Sequence, residues 1–210
     1  MEPRTPAATR SYPGRMQSSK QSVVKSVCVW WIFGWAAESL WQYLFQRQSK
    51  ASLIGCAVVL LAALYAFAQS YRNSLALRPA ITDFAPDSLA KHVIVASSAM
   101  NAAWLSVAAS VGVLIAVVAT SSIKLLPLAI AAAVAIAVVG AAVVLQTQGW
   151  IYGVTLVWAF YGVSVKQHGY PAIQNIAYVA MAVIGLLSAW AVMQLARTRS
   201  SGTASPLLDP

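Results

Sequence analysis

The chain is 210 residues long, 60% hydrophobic and only 9% charged, with a formal net charge of +9. Soluble domains are roughly 45–50% apolar and about 25% charged, so an ordinary soluble domain is excluded. The apolar residues fall instead in blocks of about 20, enough to cross a hydrocarbon core of about 30 Å.

Of fourteen lysines and arginines, five (Arg4, Arg10, Arg15, Lys20 and Lys25) precede the first apolar block. The basicity therefore belongs to tails and loops and calls for no nucleic acid. Residues 1–25 combine these charges with Pro3, Pro6 and Pro13, a mixture that buries no core and predicts a disordered basic tail. Its acid-poor, Ser- and Arg-containing make-up also fits a transit peptide, although the prolines oppose a long amphipathic helix.

The first apolar block covers 26–46 and a short polar connection leads to a second over 51–71. No cleavage-site pattern follows the first, so it reads as a span rather than a secretory signal. Residues 72–90 make the longest internal loop, in which Pro86-Asp87-Ser88 can open a turn or cap a helix. The third block, 91–122, exceeds one bilayer crossing. Further blocks cover 125–146, 150–165 and 171–195, the fifth being short for a span. The expected fold is an all-α, multi-pass transmembrane helical bundle over 26–196, with about six spans, or five if the short block does not cross. Residues 197–210 form a polar C-terminal tail.

Six spans place both tails on one side of the bilayer, with ten lysines and arginines there against four (Arg47, Lys50, Lys124 and Lys166) opposite. The positive-inside rule makes the tail side cytoplasmic, or its organellar equivalent such as stroma or matrix. Cys28 and Cys56 belong to no metal or redox motif and fall near opposite membrane faces, so no disulfide is expected between them.

Helix association in lipid relies on small side chains that let backbones approach. Ala129, Ala133, Ala137 and Ala141 recur every four residues in the fourth block, and Ser98, Ala102, Ser106 and Ser110 do so in the third. These two stripes are expected to pack together. Glu38 is the one acid inside an apolar block, where an ionised carboxylate costs about 2.5–3.5 kcal/mol. No Lys or Arg lies at matching depth, so a neutral carboxyl hydrogen-bonded to Asn101, Ser, Thr or Tyr is expected, with a proton or substrate site as the functional alternative.

The chain has eight tryptophans. Trp30, Trp31, Trp41 and Trp150 lie near block ends and fit an interfacial belt. Trp35, Trp104, Trp158 and Trp190 lie deeper, where an indole N–H needs a partner and a flat ring can line a pocket. Helical spacing puts Trp35 and Glu38 on one face, Asn101 and Trp104 on another, and Trp158 and Tyr161 on a third. These six residues are the expected site: a cavity for a flat, mostly apolar ligand.

The segment Met100-Asn101-Ala102-Ala103-Trp104, with the Trp-rich helices around it, resembles the tryptophan-rich sensory protein family, the TspO or translocator protein group, whose third helix carries a similar Leu-Asn-x-x-Trp element. Thr155-Leu-Val-Trp158-Ala-Phe is similar to a late helix of that family. The resemblance implies a five-helix membrane bundle, often dimeric, that binds tetrapyrroles, sterols or similar ligands, with Asn101, Trp104 and Trp158 as pocket residues. It brings no metal and no catalytic residue. Indeed His92 and His168 sit near block ends without a spaced His/Glu cluster, and the sequence has no nucleophile motif or phosphate loop. The two halves share no repeat of the kind transporters show. The alternative to a ligand-binding protein is a non-catalytic subunit of a larger membrane complex.

Overall fold

The computed structural model describes the backbone of residues 13–76 and 86–202 and the side chains of 25–76 and 92–197. All regular structure among these residues is helical: α1 (Pro13–Phe45), α2 (Lys50–Leu75), α3 (Pro86–Thr120), α4 (Leu125–Thr147), α5 (Trp150–Lys166) and α6 (Pro171–Gly202). Each apolar block of the sequence is one helix. Four of them, α2, α3, α4 and α6, are long and apolar enough to cross a membrane. The 17 residues of α5 extend only about 25 Å. In α1, Glu38, Ser39 and Gln42 lower the hydropathy.

Two helices begin earlier than their apolar blocks, and both begin at proline. A first-turn proline loses no hydrogen bond and its fixed φ suits a helix, so Pro13 starts α1 and Pro86 starts α3. Residues 13–25, expected to be part of a disordered tail, are thus helical, because no proline interrupts the chain between Pro13 and Pro79. At the other end α6 continues past the apolar block to Gly202. The rest of the N-terminal tail, residues 77–85 of the 72–90 loop and the last eight residues lie outside the described residues.

The connections are tight. Ser49 caps α2 by accepting the Ser52 backbone N–H at 3.1 Å. Gln48 and Gln148 adopt left-handed φ values of 51° and 49° at the turns before α2 and α5.

Contacts between neighbours fix their directions. The Cys56 thiol lies 3.8 Å from the Trp41 carbonyl while Phe67 lies against Gly34, so α1 and α2 are antiparallel. Ser70 meets Ser98 and Leu60 meets Gly112, which makes α2 and α3 antiparallel. Gly140 faces Leu156 while Gly153 faces Val144 and Ser188, and Gln174 Nε2 donates to the Ser164 carbonyl at 3.1 Å, so α4, α5 and α6 also alternate.

Helix α2 packs between α1 and α3, α3 passes the core on to α5, and α5 packs on α6. The core is built of Leu60, Phe67, Leu105, Leu156, Phe160 and Ile184 with many alanines. Glycines allow close approaches between helices: a Cβ at Gly34 would stand 2.5 Å from the buried Phe67 ring, and one at Gly153 would collide with Ser188 Oγ.

Helix α4 departs from the expected pairing. It lies mainly against α6 and touches α3 less, so the two small-residue stripes do not zip together. The α3 serines go elsewhere for hydrogen bonds: Ser98 meets Trp31 and Ser70, and Ser106 meets Tyr152. Ala129, Ala133, Ala137 and Ala141 are only half-buried, and Gly140 and Val144 are the buried residues of α4.

Candidate functional site

The functional candidates fall into two aromatic groups. On α1, Trp31 and Trp35 meet edge to face with ring centroids 6.4 Å apart, and both lean on Phe67 of α2, at 6.2 and 5.9 Å. Such edge-on geometry matches the ring quadrupoles. On α3 and α5, Trp104 and Trp158 face each other with centroids 5.1 Å apart and planes inclined by 38°. Asn101 lies one turn from Trp104, and its amide donates to the Ser97 carbonyl at 2.9 Å.

The six expected residues do not form one aromatic cluster. The Trp35 ring meets those of Trp31 and Phe67, and Trp104 and Trp158 meet each other. Their exposures, 47% for Trp35, 44% for Trp104, 61% for Trp158 and 58% for Tyr161, set them on the outer surface of the bundle. Glu38 is half-buried, with one carboxyl oxygen enclosed and without a hydrogen-bond partner. It lies two turns beyond Trp31 on α1, about 10 Å along the axis, whereas Ser98, the partner of Trp31, lies less than one turn from Asn101. The expected Glu38–Asn101 bond does not form: the Asn101 amide donates to Ser97 of its own helix instead.

A hydrogen-bonded layer ties the helices together beside these rings. The Trp31 indole donates to Ser98 Oγ at 3.1 Å, and Ser98 Oγ is 2.9 Å from Ser70 Oγ. Tyr71 and Tyr152 stack at 5.8 Å with planes 15° apart. Their hydroxyls reach Thr147 Oγ1 at 3.0 Å and Ser106 Oγ at 3.2 Å. One layer thus joins α1 through α5. Sequence reading passed over its α2 members, although Leu60, Ala63, Phe67, Ser70 and Ser74 recur at the three- and four-residue spacing of a buried helical face. Among the described residues no cluster of His, Cys, Asp or Glu could hold a metal, and Cys28 and Cys56 are free thiols, exposed and buried respectively.

The family model for TSPO-like protein matches residues 8–192, a range that takes in all the candidate residues and most of the six helices. The chain belongs to the TSPO-like protein family. No curated protein matches it, and neither does any solved structure. For a TSPO-like protein, the membrane bundle is the expected setting, and the α3 and α5 tryptophans are the residues on which the sequence resemblance rested.

Proposed function

We propose that this TSPO-like protein is a non-catalytic integral membrane protein that binds a flat, largely apolar ligand of the tetrapyrrole or sterol class against the tryptophans of α3 and α5. The observation that carries this reading is the Trp104–Trp158 pair. Two indoles inclined by 38°, each near the middle of its helix and each about half exposed, offer an open wedge of apolar ring faces to a molecule in the bilayer. Aromatic contacts of this kind add about 0.5–1.5 kcal/mol each beyond area burial. Asn101 and Tyr161, one turn along α3 and α5, supply hydrogen-bonding groups at the rim. The site is an open face rather than a closed cavity, so the ligand enters from the lipid. Both tails lie on the cytoplasmic-equivalent side in this reading.

Porphyrin titrated into the detergent-purified protein should quench tryptophan fluorescence saturably. Trp104→Leu and Trp158→Leu should each weaken that binding about tenfold, as the loss of a stacking contact of about 1.4 kcal/mol would, while leaving the helical circular dichroism unchanged. Non-saturating quenching, equal in the variants, would mean partitioning into the micelle. The second reading, a subunit of a homodimer or larger membrane complex, is favoured by α4, whose outward residues are apolar and meet little of the rest of the chain.

A further inference from the structure

A groove lies away from the tryptophans, between α4 and α6. It is open on one side, has a volume of about 410 Å3 and is walled by Val134, Ala137 and Ala141 on α4 and by Val179, Ala180 and Val183 on α6, with Asn175 its one polar lining residue. Both helices run antiparallel to α5, so they run parallel to each other. Asn175 stands just over one turn into α6 from Pro171, at the end of the bundle where α5 finishes at Lys166 and α4 begins after Lys124. Along α6 the lining extends from Asn175 to Ile184, about 14 Å. That is half of a hydrocarbon core of about 30 Å, the depth of one leaflet.

The charge at this end of the bundle is one-signed. Arg47, Lys50, Lys124 and Lys166 lie at this end of the helices, and the connections 46–49, 121–124 and 167–170 contain no aspartate or glutamate. Lys124 and Lys166 are both exposed; Lys124 precedes the first residue of α4, and Lys166 stands in the last turn of α5, which packs on α6. The groove is one leaflet deep, and its Asn175 end is the end of the bundle at which Lys124 and Lys166 stand. We propose that it holds an acyl chain of an anionic phospholipid, with the headgroup phosphate between Lys124 and Lys166 and the glycerol region at Asn175. This site is independent of the ligand-binding reading above.

The test offers the full-length purified protein equal amounts of phosphatidylglycerol and phosphatidylcholine of identical chains and counts retained lipid by native mass spectrometry. Phosphatidylglycerol should be retained preferentially. Lys124→Gln and Lys166→Gln should each lower its retention, by about fivefold per lysine near the surface, and Ala180→Leu, which fills the groove, should lower retention of both lipids. If Ala180→Leu fails to fold, the lysine variants, whose side chains are exposed, decide alone. Equal retention of the two lipids, or a preference that survives both lysine substitutions, overturns the proposal. So does a lipid-free dimer that Ala180→Leu dissociates, which would give the groove to a second copy of the chain.

Discussion

The Trp31 indole nitrogen donates to Ser98 Oγ across 67 residues of sequence, at 3.1 Å, and so links α1 to α3 although the two helices meet mainly through α2. Ser98 is fully buried and also bonded to Ser70. Trp31→Phe should therefore cost little, about 0.5–1.5 kcal/mol, because Ser98 keeps Ser70 as a partner. Ser98→Ala should cost more, about 1–3 kcal/mol, since it strands both an indole N–H and a serine hydroxyl. Thermal unfolding in detergent should rank the two in that order, and the reverse order would mean that ring packing against Phe67, not the hydrogen bond, holds α1.

The same pair shows what the sequence reveals and what it hides. Six helices follow from apolar blocks, because membrane length and hydropathy are local properties. Partner choice is not local. Trp31 looks like a belt residue and Ser98 like part of a packing stripe when each is read on its own helix, and only the fold brings the two together. The small-residue stripe of α3 was legible, but its serines follow hydrogen-bond partners on α1, α2 and α5, a choice that spacing does not encode. For the candidate site, helical periodicity placed Trp104 and Trp158 deep in their helices, and the structure pairs them. It put Trp35 in the same cavity only by assuming that α1 faces them, whereas Phe67 of α2, unmarked in the sequence, takes that ring.

Gly34 tests how closely α1 approaches α2. A methyl group there would stand 2.5 Å from Cε2 of Phe67, a ring with no exposed surface and hence no room to retreat. Gly34→Ala should destabilise the protein by about 1–3 kcal/mol, the usual range for overpacking. Gly162, whose added Cβ meets nothing, is the control: Gly162→Ala should leave the melting temperature unchanged or raise it, since alanine is the better helix former by about 1 kcal/mol. Equal effects at the two sites would contradict the close α1–α2 approach.

Glu38 has an enclosed carboxyl oxygen without a partner, and leaving such a group unsatisfied costs about 1–3 kcal/mol. Replacement by an apolar side chain of similar length removes that cost, so Glu38→Met should keep or raise thermal stability, and Glu38→Gln should change it little. If the carboxyl instead serves a proton or a ligand, both variants will fold normally and porphyrin binding will fall. A loss of folded protein in Glu38→Gln would show that a carboxylate is required by the fold itself.

Topology gives the last expectation. Neighbouring helices alternate in direction, so the start of α1 and the end of α6 lie at one end of the bundle, the end that carries ten of the fourteen basic residues. By the positive-inside rule that end is expected on the cytoplasmic-equivalent side. Single cysteines at Ser18 and Ser201, in a background with Cys28→Ser and Cys56→Ala, should both resist a membrane-impermeant maleimide in intact cells or right-side-out vesicles and both react after permeabilisation. The vulnerable element is α5, whose 17 residues reach about 25 Å against a core of about 30 Å. It can still cross if the bilayer thins locally, at fractions of a kcal/mol per Å of mismatch, which its packing on α3 and α6 can offset. Labelling at position 201 alone in intact cells would show that this packing does not suffice and that α5 turns back before it crosses.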